Sequence, residues 1–279
     1  MSRLHIPVRE SHLALSSLPG GSPGWLVVEV PPDPIKDEHD TLIFPWPPEG
    51  ESRLILKIYR RIGILHWMRK RIVGFRARRE FRTLGVLRAA SIDCCEAVFW
   101  GIGHSPEHGH FEVLATREIP GAVTLEEIAR SLAPRERAEL VARLFEQLAR
   151  MHRHGVYHGA PYLANVLVTP GEGSSRRFFI LDLEKSICFL RDIRGSRMAS
   201  FDLLNIVNST RRYVGKIGVR AALAQYGLET AEIQRALAAV TAYRSSKFQR
   251  YRRRAEFLAR GVVSRTLMRR SGTLARGGG

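Results

Sequence analysis

Apolar and polar positions alternate in short runs over the first 120 residues and recur at helical spacing from residue 134 onward. Three runs read as strands: Trp25-Leu26-Val27-Val28-Glu29-Val30, Thr41-Leu42-Ile43-Phe44 and Arg53-Leu54-Ile55-Leu56-Lys57-Ile58-Tyr59. Residues 96–100 and 110–115 read as a hairpin turned at 105–109. Polar turns fill 31–40 and 45–51, and residues 1–24 read as an irregular arm with a Pro19-Gly20-Gly21-Ser22-Pro23-Gly24 loop. The spacing of Phe81, Leu84 and Leu87 predicts one helix over about 76–89.

The second half changes period. Pro134 opens a long helix with a stripe of Leu140, Leu144, Leu148 and Met151, flanked by Val141 and Phe145 and stopped at Gly155. Short strands follow at 166–168 and 178–181, then helices at about 199–213, 216–226 and 230–243. The pattern divides the chain into an arm (1–24), a small β-rich lobe (25–119), a helical lobe (120–243) and a basic C-terminal helix and tail (244–279). That is an α+β, two-lobed arrangement with a cleft between the lobes.

Composition is globular, at 44% apolar, 8% aromatic and 25% charged over 279 residues, which excludes wholesale disorder, collagen-like repeats and a disulfide scaffold. The formal charge of +17 implies an anionic partner. It is concentrated. Residues 57–79 hold nine Lys/Arg and no acid, and 244–276 hold eleven against Glu256 alone. Both segments interleave cations with apolar residues such as Trp67, Ile72, Phe257 and Val262, which suits an interfacial helix on an anionic membrane surface, at about 1 kcal/mol per basic residue. The alternative is a pair of solvated helix faces. Nucleic-acid phosphates would be attracted too, but no zinc finger or RNA-binding signature is present.

The charge-free runs at 11–28 and 154–171 are broken by Gly and Pro, so neither reads as a transmembrane helix. The first residues lack the apolar core of a signal peptide. Three cysteines form neither a disulfide framework nor a CxxC pair, and a reducing cytoplasm is the expectation, with peripheral attachment to the inner face of the cytoplasmic membrane.

Candidate chemistry begins with Lys57 inside an apolar strand, where a buried ammonium requires a partner, and Glu80 on the next helix is the natural one. A lysine on an edge strand pointing at water is the plainer alternative. His158-Gly159-Ala160-Pro161-Tyr162-Leu163-Ala164-Asn165 is a tight turn leading to an amide at the mouth of a strand, and Ile180-Leu181-Asp182 is an apolar strand ending in a carboxylate. Asn165 and Asp182 are oxygen ligands of the kind a hard cation such as Mg²⁺ prefers. Taken singly, Asn165 also reads as a turn residue and Asp182 as a helix cap.

The order of strand lysine, helix glutamate, His-Gly…Asn loop and strand aspartate is that of protein-kinase-like folds. Over residues 53–212 the chain resembles the lipopolysaccharide kinase family, kinase-like enzymes that phosphorylate heptose or Kdo sugars of the lipopolysaccharide core. Three stretches carry the resemblance: Lys57-Ile58-Tyr59-Arg60-Arg61 through Arg79-Glu80-Phe81, then Leu114 to Gly121, then Met151-His152-Arg153-His154-Gly155-Val156-Tyr157-His158-Gly159 to Asp182. The resemblance implies a bilobal protein-kinase-like fold and an ATP-dependent phosphotransferase with a sugar or lipid-linked acceptor. It implies that Lys57 contacts the ATP phosphates and pairs with Glu80, that Glu118 and its neighbours form the hinge receiving adenine, and that Asn165 and Asp182 hold Mg²⁺. Asp202 would brace the catalytic loop; read by itself it is equally a charge at a helix N-terminus.

The pattern breaks in three places. After His158-Gly159 the family carries an aspartate that accepts the acceptor's hydroxyl proton, and here Ala160 stands. A positioned base contributes about 10²–10⁴-fold, or about 3–5 kcal/mol of barrier. Glu184 is the carboxylate proposed to reach the acceptor instead. The lid candidate at 31–40 has no glycine, and its acids would repel phosphates. Asp182 is followed by Leu183-Glu184 rather than Phe-Gly. Two readings therefore stand beside each other: a phosphotransferase slowed at Ala160, and a pseudokinase of the same fold acting as a binding or regulatory module. A nucleic-acid-binding protein using the Arg-rich tail is a third.

Overall fold

The computed structural model describes residues 3–12, 21–22, 24–38, 40–46, 53–60, 74–105, 108–171 and 175–243. The centre of the first basic segment, 61–73, and the whole of 244–276 lie outside the described residues.

The period of two in β6 (Leu54–Arg60) sets the layout of the first lobe. Leu54, Leu56 and Ile58 face one core, while Lys57 and Tyr59 face the opposite side. β6 pairs antiparallel with β5 (Thr41–Trp46) and β8 (Gly109–Arg117), and β8 pairs with β7 (Ala97–Ser105). A short exposed strand, β4 (Lys36–Glu38), closes one edge against β5.

The expectation of an irregular arm over residues 1–24 is overturned at the other edge. β1 (Arg3–Ser11) pairs with β3 (Trp25–Glu29) over Arg3–Pro7 and with β7 over Val8–Ser11, and β2 (Gly21–Ser22) adds to β3. The result is an eight-stranded sheet in the order β2-β3-β1-β7-β8-β6-β5-β4. Local signal for β1 is weak, because Leu4, Ile6 and Val8 alternate among charges and a proline. Ladders on both sides, with full burial of Leu4 and Ile6, override it. Gly21 and Ser22 therefore belong to an added β2–β3 pair, separated from β6 by β1, β7 and β8.

Against the Lys57 face of the sheet lies α1 (Arg76–Ala89), which buries Glu80, Phe81, Leu84 and Leu87. Its own N-cap, Phe75, offers no side-chain acceptor; Glu112 of β8 accepts the Ala77 N–H at 2.9 Å instead and places a carboxylate at the helix N-terminus. β8 leads into the second lobe at Glu118, whose N–H is bonded to the Arg53 carbonyl at 2.7 Å.

The second lobe is built on α3 (Pro134–Arg153). Its predicted stripe is buried together with Leu203, Ile206 and Leu223 of α4 (Arg197–Tyr226). That cluster also takes in Tyr59, Trp100 and Leu114, so one core runs from the first lobe into the second. α4 breaks at Gly215 (φ 62, ψ −171), where the sequence predicts two helices, and α5 (Thr230–Tyr243) follows. α2 (Leu125–Ser131) opens with a reciprocal Thr124–Glu127 cap. β9 (Val123–Thr124), β11 (Val166–Val168) and β12 (Phe178–Ile180) form a small sheet, and β10 (Val156–Tyr157) pairs with β13 (Ile187–Cys188). Gly155 closes α3 with φ 74, and a Cβ there would come within 2.1 Å of the Phe189 carbonyl oxygen. Among the described residues no helix is long and apolar enough to cross a membrane. The three cysteines are free, and burial pushes the Cys94 and Cys95 thiols up to about 12.

Candidate active site

The alternation of β6 aims Lys57 at α1, and the side chain is 16% exposed. Its ammonium lies 3.3 Å from Glu80 Oε2 and 2.6 Å from Asp182 Oδ1. The edge-strand alternative is thereby removed. Burial by itself would push Lys57 down, but the carboxylates of Glu80 and Asp182 outweigh it and hold the ammonium well above its ordinary value.

Glu80 is saturated. Oε2 also accepts the buried Tyr59 hydroxyl, and Oε1 accepts the Leu183 N–H at 3.1 Å. One carboxylate thus ties the sheet, α1 and the segment after Asp182 together. Asp182 itself sits in the left-handed region (φ 57, ψ 52), a strained position for a residue other than glycine and one that clusters at functional sites. Burial pushes its carboxyl up; Lys57, Lys185 and the Lys57 hydrogen bond outweigh that and leave it below its ordinary value.

Across from this group, Asn165 closes a short 3-10 turn at Leu163–Asn165 just before β11. Its Nδ2 donates to the Ala160 carbonyl at 2.9 Å and to Asp182 Oδ2 at 3.4 Å. The Asn165 main-chain carbonyl accepts the Leu181 N–H at 2.9 Å, and the side-chain oxygen Oδ1 has no hydrogen-bond partner among the described residues. The Asn165 amide and the Asp182 carboxylate, 3.4 Å apart, belong to the residue types whose oxygens Mg²⁺ takes alongside phosphate oxygens, so the pair fits that ion.

The loop bearing Asn165 hangs from Asp202. That carboxylate is fully buried in the first turns of α4, accepting the His158 N–H at 2.7 Å and the Gly159 N–H at 2.9 Å. His152 Nε2 lies 3.2 Å from the same oxygen as His158, and its Nδ1 lies 2.6 Å from the Tyr226 hydroxyl. Asp202 is thus a loop brace, and the lone helix-charge alternative does not describe it. Gly159 (φ 88) could carry no side chain: a Cβ would lie 2.9 Å from both the Lys185 carbonyl oxygen and its Cβ. Ala160 is buried, and its N–H donates to His158 Nδ1 at 3.3 Å. His158 Nε2 is buried with no hydrogen-bond partner, and burial pushes the ring's proton affinity down despite Asp202 and Asp182 nearby.

Glu184 is engaged elsewhere. Its carboxylate is 3.5 Å from Arg76 and 3.2 Å from Lys185, and its carbonyl accepts Arg79 at 2.7 Å. Arg76 also holds Asp40 at 3.0 Å, and this hydrogen bond keeps the Asp40 carboxyl below its ordinary value. Asp37 pairs with Arg60 at 2.6 Å and Glu38 with Lys36 at 3.0 Å. The glycine-free β4–β5 turn therefore carries acids that are already matched by cations, which relieves the expected repulsion. Glu118 pairs with Arg53 at 3.4 Å, so its carboxylate points to a neighbour of β6.

Sequence reasoning brought Lys57, Glu80, Asn165, Asp182 and Asp202 to one place and missed three partners. Tyr59 shares Lys57's face two residues on, a signal the period of two carries. His152 continues the buried stripe of α3 at Leu148 plus four. Arg76 leaves no local signal, because both its partners are distant in the chain.

A model of the lipopolysaccharide kinase (Kdo/WaaP) family matches residues 49–253. The chain belongs to this family. Among solved structures, one described as WaaP in complex with acyl carrier protein matches with TM-score 0.58 and 21% identity, covering 81% of this chain and 88% of that one. Vaccinia-related kinase 3 also matches, with TM-score 0.43 and 12% identity over 74% of this chain and 78% of its own. No curated protein matches the sequence significantly. Membership of the Kdo/WaaP family and the bilobal likeness together make the fold kinase-like, α+β, with the Lys57–Glu80–Asp182 group at the junction of the two lobes.

Proposed function

We propose that the chain is an ATP-dependent phosphotransferase acting on a sugar or lipid-linked acceptor at the cytoplasmic membrane face. The convergence of Lys57, Glu80 and Asp182 within 3.3 Å and 2.6 Å carries this reading. Lys57, kept charged by two carboxylates and oriented by Glu80, neutralises donor phosphates. Asn165 and Asp182 hold Mg²⁺, which supplies charge neutralisation on the transferred group. Asp202 fixes the loop that presents Asn165. Adenine is received at the hinge by neighbours of Glu118, since the Glu118 N–H is already bonded to Arg53. Ile119 and Gly121 are the residues there with amide N–H groups not bonded within the described chain.

Ala160 stands where the acceptor's proton would be taken, and Glu184 is held by Arg76 and Lys185, so neither offers a positioned base. Transfer then rests on positioning and charge, at reduced rate. The same observation favours a second reading, a pseudokinase of the same fold that acts as a binding or regulatory module with little or no catalysis.

Thermal unfolding with and without Mg·ATP tests the donor site. Saturation at about 100 times Kd stabilises the fold by about 2.7 kcal/mol, and Lys57→Ala or Asp182→Ala should remove the shift. A wild-type chain that does not shift has no such donor site. A shift without phosphate release to any sugar acceptor selects the pseudokinase.

A further inference from the structure

The break at Gly215 leaves a groove of 390 Å³ between the two halves of α4 and α5. Its floor is apolar, with Val207, Val219 and Leu237, and its rim is cationic, with Arg211, Lys216 and Arg220. Beside the rim, Ile217 projects with 86% of its surface in water. From Leu203 to Leu228 the sequence contains no acid. Among the described residues no carboxylate pairs with Arg211, Lys216 or Arg220, whereas the neighbouring Arg212 is taken by Glu126. Of the acids that flank that stretch, Asp202 accepts the His158 and Gly159 N–H groups, and Glu232, at the start of α5, is turned back to accept the Glu229 N–H at 2.9 Å.

We propose that this elbow docks the chain on an anionic lipid surface, with the three cations among headgroups and Ile217 at the acyl boundary. Three unmatched cations around an apolar floor, with a bare isoleucine beside the rim, are the two halves of an interfacial contact. A phosphodiester backbone would use the charge and leave Ile217 and the floor idle, and no aromatic ring lines the groove for bases to stack on. Position argues the same way. α5, which forms the second wall through Leu237, runs directly into residues 244–276 and their eleven basic residues, so groove and tail belong to one cationic stretch of chain. The docking does not rest on the phosphotransferase reading, since a chain that binds no nucleotide would attach in the same way.

Sedimentation of the full chain with phosphatidylcholine vesicles, with and without phosphatidylglycerol, tests it. Binding should require phosphatidylglycerol and weaken between about 0.1 M and about 1 M salt, as the Debye length falls from about 10 Å to about 3 Å. Each cation near such a surface is worth about fivefold in partition. The triple variant Arg211→Gln, Lys216→Gln, Arg220→Gln, which retains the whole tail, should therefore partition about a hundredfold more weakly. Ile217→Gln should weaken binding at high salt as well as low, because its contribution is not screened. These four side chains lie at the surface, and unchanged thermal unfolding of the variants shows that the fold is kept. Wild-type partition in the triple variant would overturn the proposal and leave the tail as the attachment. Absence of vesicle binding at low salt, or preference for RNA or for an acidic protein over vesicles, would overturn it also.

Discussion

Replacing Asp202 by Asn tests the brace beneath the loop that carries His158, Gly159 and Asn165 with almost no change of shape. In the folded chain Oδ2 takes the His158 N–H at 2.7 Å and Oδ1 takes the Gly159 N–H at 2.9 Å, with His152 Nε2 at 3.2 Å from Oδ2. A carboxylate only accepts, so all three partners donate. Asn has one oxygen and one NH2. Its better orientation keeps the oxygen toward His158 and His152 and turns the NH2 onto the Gly159 N–H, donor against donor. One hydrogen bond to a carboxylate, about 1.5–3 kcal/mol, is lost, and the partly buried Gly159 N–H is left unmet, at the low end of about 1–3 kcal/mol. The net expectation is a loss of about 3 kcal/mol, which for a chain of this size lowers Tm by about 6–12 °C. Urea unfolding monitored by circular dichroism, with the slope unchanged, measures it. A loss below about 1 kcal/mol would show that these bonds do not brace the loop.

Two other outcomes follow from the same loop. Ala160→Asp supplies the absent carboxylate next to the Asn165 amide, and the rate of phosphate transfer or ATP hydrolysis should rise by about 10²–10⁴-fold; an unchanged rate would mean proton removal is not limiting. His158 takes its proton less readily when folded than its ordinary value of 6.5 implies, first because it is buried. The unfolded chain therefore binds a proton that the folded chain does not, so this residue's contribution is present above about 6.5 and is lost as pH falls through the interval below it. His158→Asn keeps an acceptor for the Ala160 N–H and cannot titrate, so its stability should fall less between pH 7 and pH 5 than the wild type's. Parallel curves would refute the assignment.

How far the molecule was legible from its sequence varies with the range of the forces involved. α1 and α3 are set by apolar spacing within one helix, and Arg76–Ala89 and Pro134–Arg153 agree with the predicted spans. Lys57 was legible because an ammonium in an apolar strand demands a partner, and Glu80 lies within one element of it. β1 was not legible: its ladders come from β3 and from β7, and its own three apolar residues are too few to announce a strand. The ion-pair partners of Glu184 were not legible for a related reason. A free carboxylate two residues past Asp182 looks available until Arg76, more than a hundred residues earlier, is folded onto it. Asp202 lay between two readings until its partners on the 158–159 turn and on α3 came into place.

The insertion of the first strand beside β7 bears on how the newly made chain avoids self-association. Without β1, β7 would present a free row of amides and carbonyls next to Phe99 and Trp100, a template on which another copy could stack. Val8–Ser11 pair with that row, and Arg3–Pro7 continue the sheet into β3. Trimming the N-terminus would therefore remove a guard against aggregation rather than a dispensable extension, and the truncated chain should be recovered as insoluble assemblies even though every side chain around Lys57 is retained.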